Sequence, residues 1–360
     1  MSNLPTPPQQ RPGLFSPNTA AAGSQTIFGE IATAGNGYFS IDGGDSSGAN
    51  AAALIDFQEF STAGNSELVA TSGNAVGGQI LFSDDSAGGT ARLNIIGQVY
   101  GGDGTVLTDQ RAARLDISPH NAPGVSVGSI EGNGLVFLGA AKLTVGSNRL
   151  STLFSGLIQD GGVNGGTGGS LAKTGGAKLT LTGANTYSGG TIITKGTLLV
   201  KNTTGSATDS GAVQLNAGKL GGTGIIAGAV TVGTGSSSGA TLLLGNSATG
   251  PANLTINSAL TFRALSTYKC VLNMRRMIAG RVTALGVTIN SNATFRFAQA
   301  GTGTLSAGSV FTIINNTSAS PIGGTFGNLP DGSTFTVNGN TFKADYQGGD
   351  GNDLTLTVVP

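Results

Sequence analysis

Hydrophobic and polar positions alternate with a period of two over short stretches of this chain, and glycine-rich corners separate the stretches. The clearest case is residues 171–200, LAKTGGAKLTLTGANTYSGGTIITKGTLLV. Leu179 and Leu181 fall on one side of a predicted strand and Thr180 on the other. The same spacing returns after the corner at Ile193, Leu198 and Val200. The pattern predicts strand, turn and strand, with no helix.

The alternating pattern also repeats along the chain. Five residues recur 25 positions later in one gapless register, namely Ile55, Phe57, Ser61, Gly64 and Leu68 as Ile80, Phe82, Ser86, Gly89 and Leu93. An offset of 22 relates Ile193, Gly196 and Leu198 to Leu215, Gly218 and Leu220, and an offset of 36 relates Ala141-Lys-Leu-Thr to Ala177-Lys-Leu-Thr. A period of this size with strands in every copy is typical of a solenoid.

These repeats predict an all-β fold, a right-handed parallel β-helix, in preference to a β-sandwich. With ~22 residues per coil and ~4.8 Å between coils, about 15 coils would form a rod on the order of 70 Å long. We expect a single elongated repeat domain over residues 26–360. Residues 1–25 contain Pro5, Pro7, Pro8, Pro12 and Pro17 and are predicted to be a flexible tail.

Composition supports an ordered repeat protein. Glycine accounts for 62 of 360 residues and charged residues for 10%, against usual values of ~7% and ~25%. Eighteen basic and eighteen acidic residues cancel, so we expect no nucleic-acid partner. The only cysteine, Cys270, excludes an intrachain disulfide and is expected to be a buried apolar residue. The sequence shows neither a membrane-spanning segment nor a signal-peptide pattern before residue 25.

Residues 263–282 interrupt the alternating pattern and concentrate positive charge. The basic residues are Arg263, Lys269, Arg275, Arg276 and Arg281. We interpret this segment as a solvated face on an irregular coil or short helix, inserted into the β-helix. A basic site for an anion is the alternative.

Candidate catalytic residues do not form a recognisable set. The only histidine, His120, follows Pro119 in a predicted turn, and no G-x-S-x-G motif accompanies it. A polysaccharide lyase or glycosidase would need only charged side chains on one outer face. Its candidates are the adjacent Asp84 and Asp85, and acids expected in glycine turns, namely Asp42, Asp45, Asp103, Asp109 and Asp116. Because acids in turns are typically solvated caps, the prediction is no enzyme activity, no catalytic residue and no cofactor.

Residues 348–353, GGDGND, resemble one calcium-binding nonapeptide turn with Asp353 as an oxygen ligand. Such sites need a second stacked copy, and the sequence has only one. We therefore predict a tight glycine turn before a final strand over residues 354–359, and no metal site.

Residues 171–200 resemble the autotransporter-associated β-strand repeat, also called the passenger-associated transport repeat. The positions that match its pattern are Leu171, Lys173, Gly175, Leu179, Leu181, Gly183, Asn185, Thr186, Tyr187, Gly189, Thr191, Ile193, Gly196, Thr197, Leu198 and Val200. The departure is Ala177, where the family usually has glycine. Asn185 suits a bend, since its residue type tolerates left-handed geometry and its amide can cap backbone groups.

The resemblance implies a structural role, as an elongated stalk or scaffold displayed outside a Gram-negative bacterium. It also implies export in unfolded form through an outer-membrane translocator barrel, which we expect to be absent from this chain. Two alternatives stay open. One is an adhesin that binds an extracellular glycan or protein, and the other is the polysaccharide-active enzyme.

Overall fold

The computed structural model describes residues 23–44, 52–97, 111–246, 250–300 and 302–360. Every regular element in these ranges is a β-strand. The proline-rich stretch predicted to be a tail lies almost wholly outside the described residues, and the first strand begins at Gln25.

Thirteen strands precede residue 160. They are β1 (Gln25–Phe28), β2 (Tyr38–Ile41), β3 (Leu54–Phe57), β4 (Glu67–Thr71), β5 (Gln79–Phe82), β6 (Arg92–Ile96), β7 (Arg114–Asp116), β8 (Ser126–Val127), β9 (Ser129–Gly132), β10 (Leu135–Phe137), β11 (Lys142–Val145), β12 (Thr152–Phe154) and β13 (Leu157–Gln159).

The middle of the chain contributes nine strands. They are β14 (Ser170–Lys173), β15 (Lys178–Leu181), β16 (Thr191–Ile193), β17 (Thr197–Val200), β18 (Val213–Leu215), β19 (Gly218–Gly222), β20 (Ile225–Ile226), β21 (Val230–Val232) and β22 (Ala240–Asn246).

The last part contributes twelve. They are β23 (Gly250–Pro251), β24 (Asn253–Ile256), β25 (Leu260–Phe262), β26 (Thr267–Asn273), β27 (Ile278–Ala279), β28 (Arg281–Ala284), β29 (Val287–Ile289), β30 (Thr294–Ala300), β31 (Val310–Asn316), β32 (Thr334–Val337), β33 (Asn340–Gly348) and β34 (Asp353–Val359).

The strands form three faces around a common axis, and the chain visits the faces in a fixed order. Face 1 is a parallel ladder in the order β2-β4-β6-β9-β12-β15-β17-β19-β22-β26-β30. Face 2 has the order β8-β11-β14-β16-β18-β21-β25-β29. Face 3 has two parts, β1-β3-β5-β7-β10-β13 and β20-β24-β28-β31. The predicted parallel β-helix is therefore confirmed.

The registers test the predicted repeats. Ile55 pairs with Ile80 and Leu68 with Leu93, so the offset of 25 is confirmed. Ile193 pairs with Leu215 and Leu198 with Leu220, which confirms the offset of 22.

The offset of 36 is wrong as a structural equivalence. The first copy of the Ala-Lys-Leu-Thr sequence forms β11 on face 2, where Leu143 pairs with Leu171, whereas the second copy forms β15 on face 1. The two copies share an inward leucine pattern, which local sequence alone cannot assign to a face.

The solenoid has fewer coils than its period predicted. Eleven strands stack on face 1, which gives a ladder about 50 Å long at ~4.8 Å per step. The prediction of 15 coils was wrong because the coils differ in length. The offset between stacked residues is 19 from Lys178 to Thr197 but 37 from Arg92 to Ser129, since loops of different length leave the faces between strands.

Inward side chains of successive coils stack to form one continuous core. Near the start of the rod, Phe28, Phe57 and Phe82 stack with ring centroids 4.9 Å apart and planes 12° from parallel. This separation equals the spacing of adjacent parallel strands. Phenylalanine at the same register position in each of these coils therefore forms a continuous stack of rings.

Antiparallel strands close the C-terminal end of the solenoid. β31 pairs in parallel with β28 but antiparallel with β34, and β33 and β32 continue the antiparallel order. Tyr346 ties this cap together, because its hydroxyl lies 3.0 Å from the Phe326 amide nitrogen and 2.8 Å from the Leu329 carbonyl oxygen. The cap removes the open parallel edge of face 3 at this end.

The basic segment 263–282 differs from its predicted irregular structure. Residues 267–273 form β26, a strand of face 1 that pairs with β22 and, with a register shift between Cys270 and Val271, with β30. Residues 274–277 form the turn of a hairpin that returns as β27. The inward residues Tyr268, Cys270 and Leu272 are apolar and fully buried. The prediction failed because arginine and lysine at the outward positions and in the turn obscured this alternation.

Candidate functional site: the coil at residues 171–200

The segment with the strongest sequence pattern occupies about one and a half coils, from β14 to the end of β17. Seven of its apolar residues point inward and are at most 1% exposed, whereas Ile192 points outward. The seven inward residues are Leu171, Leu179, Leu181, Tyr187, Ile193, Leu198 and Val200. Leu198 lies between Leu179 of the preceding coil and Leu220 of the next. The segment thus supplies core residues to two successive layers.

The motif glycines lie where neighbouring coils approach closely. Gly175 has a φ of +65°, and a Cβ there would overlap the carbonyl oxygen of Gly146 in the preceding coil. A Cβ on Gly183 would overlap the carbonyl oxygen of Gly156. Gly189 and Gly196 lie at the following corners. Glycine at these positions lets the corners stack at strand spacing.

Asn185 bridges three coils on face 3, in a region where the ladder between β13 and β20 lacks strands. Its side-chain oxygen accepts a hydrogen bond from the Ile158 amide at 2.8 Å, and its side-chain nitrogen donates to the Ala207 carbonyl at 2.6 Å. Asn185 is 2% exposed. The amide thus caps backbone groups as predicted, but Asn185 is not among the residues with positive φ.

Thr186, Tyr187 and Thr191 complete this corner. The Thr186 amide donates to the Ile158 carbonyl at 2.9 Å, while its side chain is exposed. The Tyr187 hydroxyl hydrogen-bonds the Thr191 hydroxyl inside the core. Burial raises the pKa of Tyr187, so this phenol stays protonated. Paired in this way, both hydroxyls are tolerated at inward positions.

Lys173 is the unexpected member of the motif, because it occupies an inward position between Val145 and Ile193. It is 1% exposed. Its Nζ donates to the carbonyl oxygens of Thr174 and Gly175, the latter at 3.2 Å. Desolvation lowers the pKa of Lys173 to about 8. The amine therefore caps corner carbonyls and has no carboxylate partner among the described residues.

The acids considered for polysaccharide chemistry bind backbone groups or neighbouring side chains. Asp84 accepts from the Glu59 amide at 3.1 Å, and Asp42 accepts from the Ser40 hydroxyl at 2.9 Å. Asp116 was predicted in a glycine turn, but it ends strand β7, where it is buried and accepts from the amides of Ser118 and Val163 at 2.8 Å.

Asp85 accepts from the Asn121 side chain at 3.3 Å. Asp45, Asp103 and Asp109 lie outside the described residues.

The remaining chemically active side chains are also held in structural contacts. The His120 ring nitrogens lie 2.7 Å from the Asn121 carbonyl oxygen and 2.6 Å from that of Ser86. Cys270 is fully buried in β26, and burial raises the pKa of its thiol. Neither group faces the other, since they lie in different coils of the rod.

The C-terminal GGDGND sequence forms the turn between the antiparallel strands β33 and β34. The predicted tight turn is therefore observed, and the final strand begins at Asp353. Its Oδ1 accepts a hydrogen bond from the Asn316 amide at 2.9 Å, and burial raises the pKa of this carboxyl group. No group of three His, Cys, Asp or Glu side chains within the described ranges could hold a metal ion.

Sequence reasoning missed a second asparagine with a role like that of Asn185. The Asn202 side-chain oxygen accepts from the Ile225 amide at 2.9 Å, and its nitrogen donates to the carbonyls of Thr204 and Gly205. Its position two residues after Val200, at the end of a strand, is the only sequence signal for this role. The spacing from Asn185 does not follow the coil period.

These contacts define a structural repeat protein, a parallel β-solenoid whose middle coil is held by buried apolar side chains and backbone-capping amides. Residues 171–200 match the family model described as passenger-associated-transport-repeat. No curated protein matches the chain. Within the described ranges, no helical segment has the length and hydropathy of a membrane span.

Proposed function

We propose that this chain is the passenger domain, or part of one, of an autotransporter-like protein, and that it serves as an extracellular scaffold. The observation that carries the proposal is the passenger-associated transport repeat itself, which forms a complete coil of a parallel solenoid. In this role the rod would hold exposed loops or a distal segment away from the cell surface. The repeat-motif side chains would act only in folding and stacking.

The cysteine content and the pairing of the coils are compatible with export in unfolded form. A single cysteine excludes intrachain disulfides, and each coil pairs mainly with the coils beside it, so the solenoid can grow coil by coil as chain emerges. The partner implied by this role is an outer-membrane translocator barrel. The corresponding location is the surface of a Gram-negative bacterium or the medium around it.

The test is a fusion with a secretion signal in front of the chain and a translocator barrel behind it, expressed in a Gram-negative cell. We expect the rod to become accessible to external protease or antibody in intact cells. The matched control carries the signal but no barrel and should stay protected. A barrel fusion that inserts into the outer membrane while its passenger remains inside would contradict the proposal.

A further inference from the structure

The zero net charge hides a strong ordering of charge along the sequence. Residues 1–131 contain four basic and twelve acidic side chains, whereas residues 132–360 contain fourteen basic and six acidic ones. In a globular fold, charges from the two parts of the sequence would be intermingled in space. A solenoid instead lays the sequence out along its axis, so charge separated in sequence is also separated in space.

Face 1 concentrates part of this positive charge on its outer surface. The outward basic residues from β15 to β30, which we call the basic strip, are Lys178, Lys219, Lys269 and Arg296. Three of them are exposed and Lys269 is half-buried. Within the described part of the chain, both ion pairs involve Arg92 with Glu67 or Glu131, so neither involves the strip. The six strands of the strip contain no acidic residue.

The spacing of the strip suits a polymer. Lys178 and Lys219 lie two strands apart in one column, which corresponds to ~10 Å. Lys269 lies two strands further on, in the next outward column two residues along, which places it ~12 Å from Lys219. These intervals are close to the Debye length of ~8 Å at physiological ionic strength, so adjacent positive charges reinforce one another. The strip as a whole spans about 24 Å, longer than a small anion requires.

Hydroxyl groups occupy the remaining outward positions of the column that contains Lys178 and Lys219. Thr197, Thr241, Thr267 and Thr294 share one outward column with Lys178 and Lys219. All four threonines are half-buried. The hydroxyls of Thr267 and Thr294 hydrogen-bond each other at 3.2 Å. Because a hydroxyl both donates and accepts, the column matches the hydroxyl groups of a sugar chain. None of the outward residues in these paired columns is aromatic, so the strip lacks the stacking platforms that single-stranded nucleic acids use.

We propose that the basic strip binds an acidic polysaccharide, a sugar chain with regularly spaced carboxylate or sulfate groups. The chain would lie along the rod axis across the six strands from β15 to β30. Recognition would be electrostatic, with threonine hydroxyls contacting sugar hydroxyls. This inference goes beyond the scaffold role and does not depend on how the protein is exported.

The test uses the purified full chain and immobilised polysaccharides in biolayer interferometry. The probes are heparin, polygalacturonate and, as a neutral control, dextran. We expect binding to both acidic probes, falling steeply between about 50 and about 300 mM NaCl as ionic contacts are screened. Dextran should show no binding. If neither acidic polysaccharide binds at the lower salt concentration, the proposal is overturned.

Two double variants with the same change in net charge locate the site. K178E/K269E reverses the charge on the strip, whereas K142E/K343E does so on face 2 and on the cap. We expect the strip variant to weaken heparin binding at least about tenfold and the control to change it less than about twofold. Thermal unfolding should show that both variants are folded. An equal loss in the two would overturn the assignment of the strip.

Two further probes distinguish the class of partner. Single-stranded DNA and phosphatidylserine vesicles carry anionic charge without the hydroxyl pattern of a sugar chain. We expect both to bind more weakly than the acidic polysaccharides at equal salt concentration. Binding of DNA or vesicles with equal or higher affinity would show that the strip serves a different kind of partner and would overturn the proposal.

Discussion

Inward and outward positions alternate along β17, where Leu198 and Thr197 show the contrast clearly. Leu198 is fully buried between leucines of the two adjacent coils, while the neighbouring Thr197 is half-buried on the outer surface. A charge at the first position would replace apolar contacts on both sides without gaining a partner. A charge at the second can reach water.

Leu198→Asp should therefore lower the free energy of unfolding by about 4 kcal/mol, whereas Thr197→Asp should change it by at most about 1 kcal/mol. Guanidinium unfolding followed by circular dichroism measures both. Because the two residues are adjacent, effects on strand propensity are closely matched. Equal shifts in the two midpoints would contradict the assignment of inward and outward positions.

Lys173 illustrates a buried charge that the fold accommodates through backbone carbonyls. Its pKa is about 8 in the folded chain, against 10.5 for an ordinary lysine. Between these values the unfolded chain holds the proton and the folded chain has released it. Since the unfolded state binds more protons in this window, stability rises with pH from about 8 to about 10.5.

The variant Lys173→Met removes this titration. Its stability relative to wild type should fall by at most about 1.4 kcal/mol per pH unit over that window, because only the wild type gains from deprotonation. Unfolding measured at several pH values, with Lys178→Met as an exposed control, tests this effect. A difference between wild type and Lys173→Met that does not vary with pH would show that the amine is not desolvated.

At the scale of the element, backbone hydrogen bonds between paired strands hold a coil to its neighbours. Where a face has no strand, side-chain hydrogen bonds hold the coils together instead. Face 3 has no strand between β13 and β20. There, Asn185 supplies the acceptor for the Ile158 amide and the donor for the Ala207 carbonyl. The motif asparagine thus replaces two ladder bonds.

Asn185→Ala should leave both backbone groups buried and unpaired, at a cost of about 2–4 kcal/mol. The adjacent Thr186→Ala is the control, since its side chain is exposed and its backbone amide makes the observed hydrogen bond. Hydrogen exchange at the Ile158 amide provides a local readout and should accelerate only in the asparagine variant. Unchanged protection there would indicate that the bridge is dispensable.

At the scale of the whole molecule, the solenoid is close to one-dimensional, because each coil pairs with the coils directly before and after it. Thr191 lies between Leu171 and Val213, and Leu198 between Leu179 and Leu220. Residues 191–212 therefore constitute one coil. Without them, Val213 would stack on Leu171 and Leu220 on Leu179.

Deletion of residues 191–212 should leave a folded, cooperatively unfolding rod that is less stable by about 1–3 kcal/mol, the average share of 22 residues. Deletion of residues 191–201 removes half a coil and should abolish folding. The following residues, which belong to the face 3 side, would then occupy the place of the face 2 strand β16. Circular dichroism and thermal unfolding distinguish the two. Comparable behaviour of both deletions would contradict the stacked-coil arrangement.

The sequence by itself determined the strand content, the parallel solenoid and the layer of core residues in the middle coil. These properties are local. An inward residue such as Leu179 or Leu198 is recognised from its alternation with polar neighbours, and glycine corners mark where a strand must end. Where two coils have equal length, as at Leu68 and Leu93, the register also follows from the sequence.

The tertiary structure alone decided which face each strand joins, how many coils form, and where charge accumulates. The two copies of the sequence Ala-Lys-Leu-Thr belong to different faces. The length of the preceding loop, and not the sequence of the strand, decides which face a strand joins. The burial of Lys173 depends on carbonyl groups presented at a corner. The basic strip arises because stacking brings Lys178, Lys219 and Lys269, distant in sequence, onto one face at intervals of two strands.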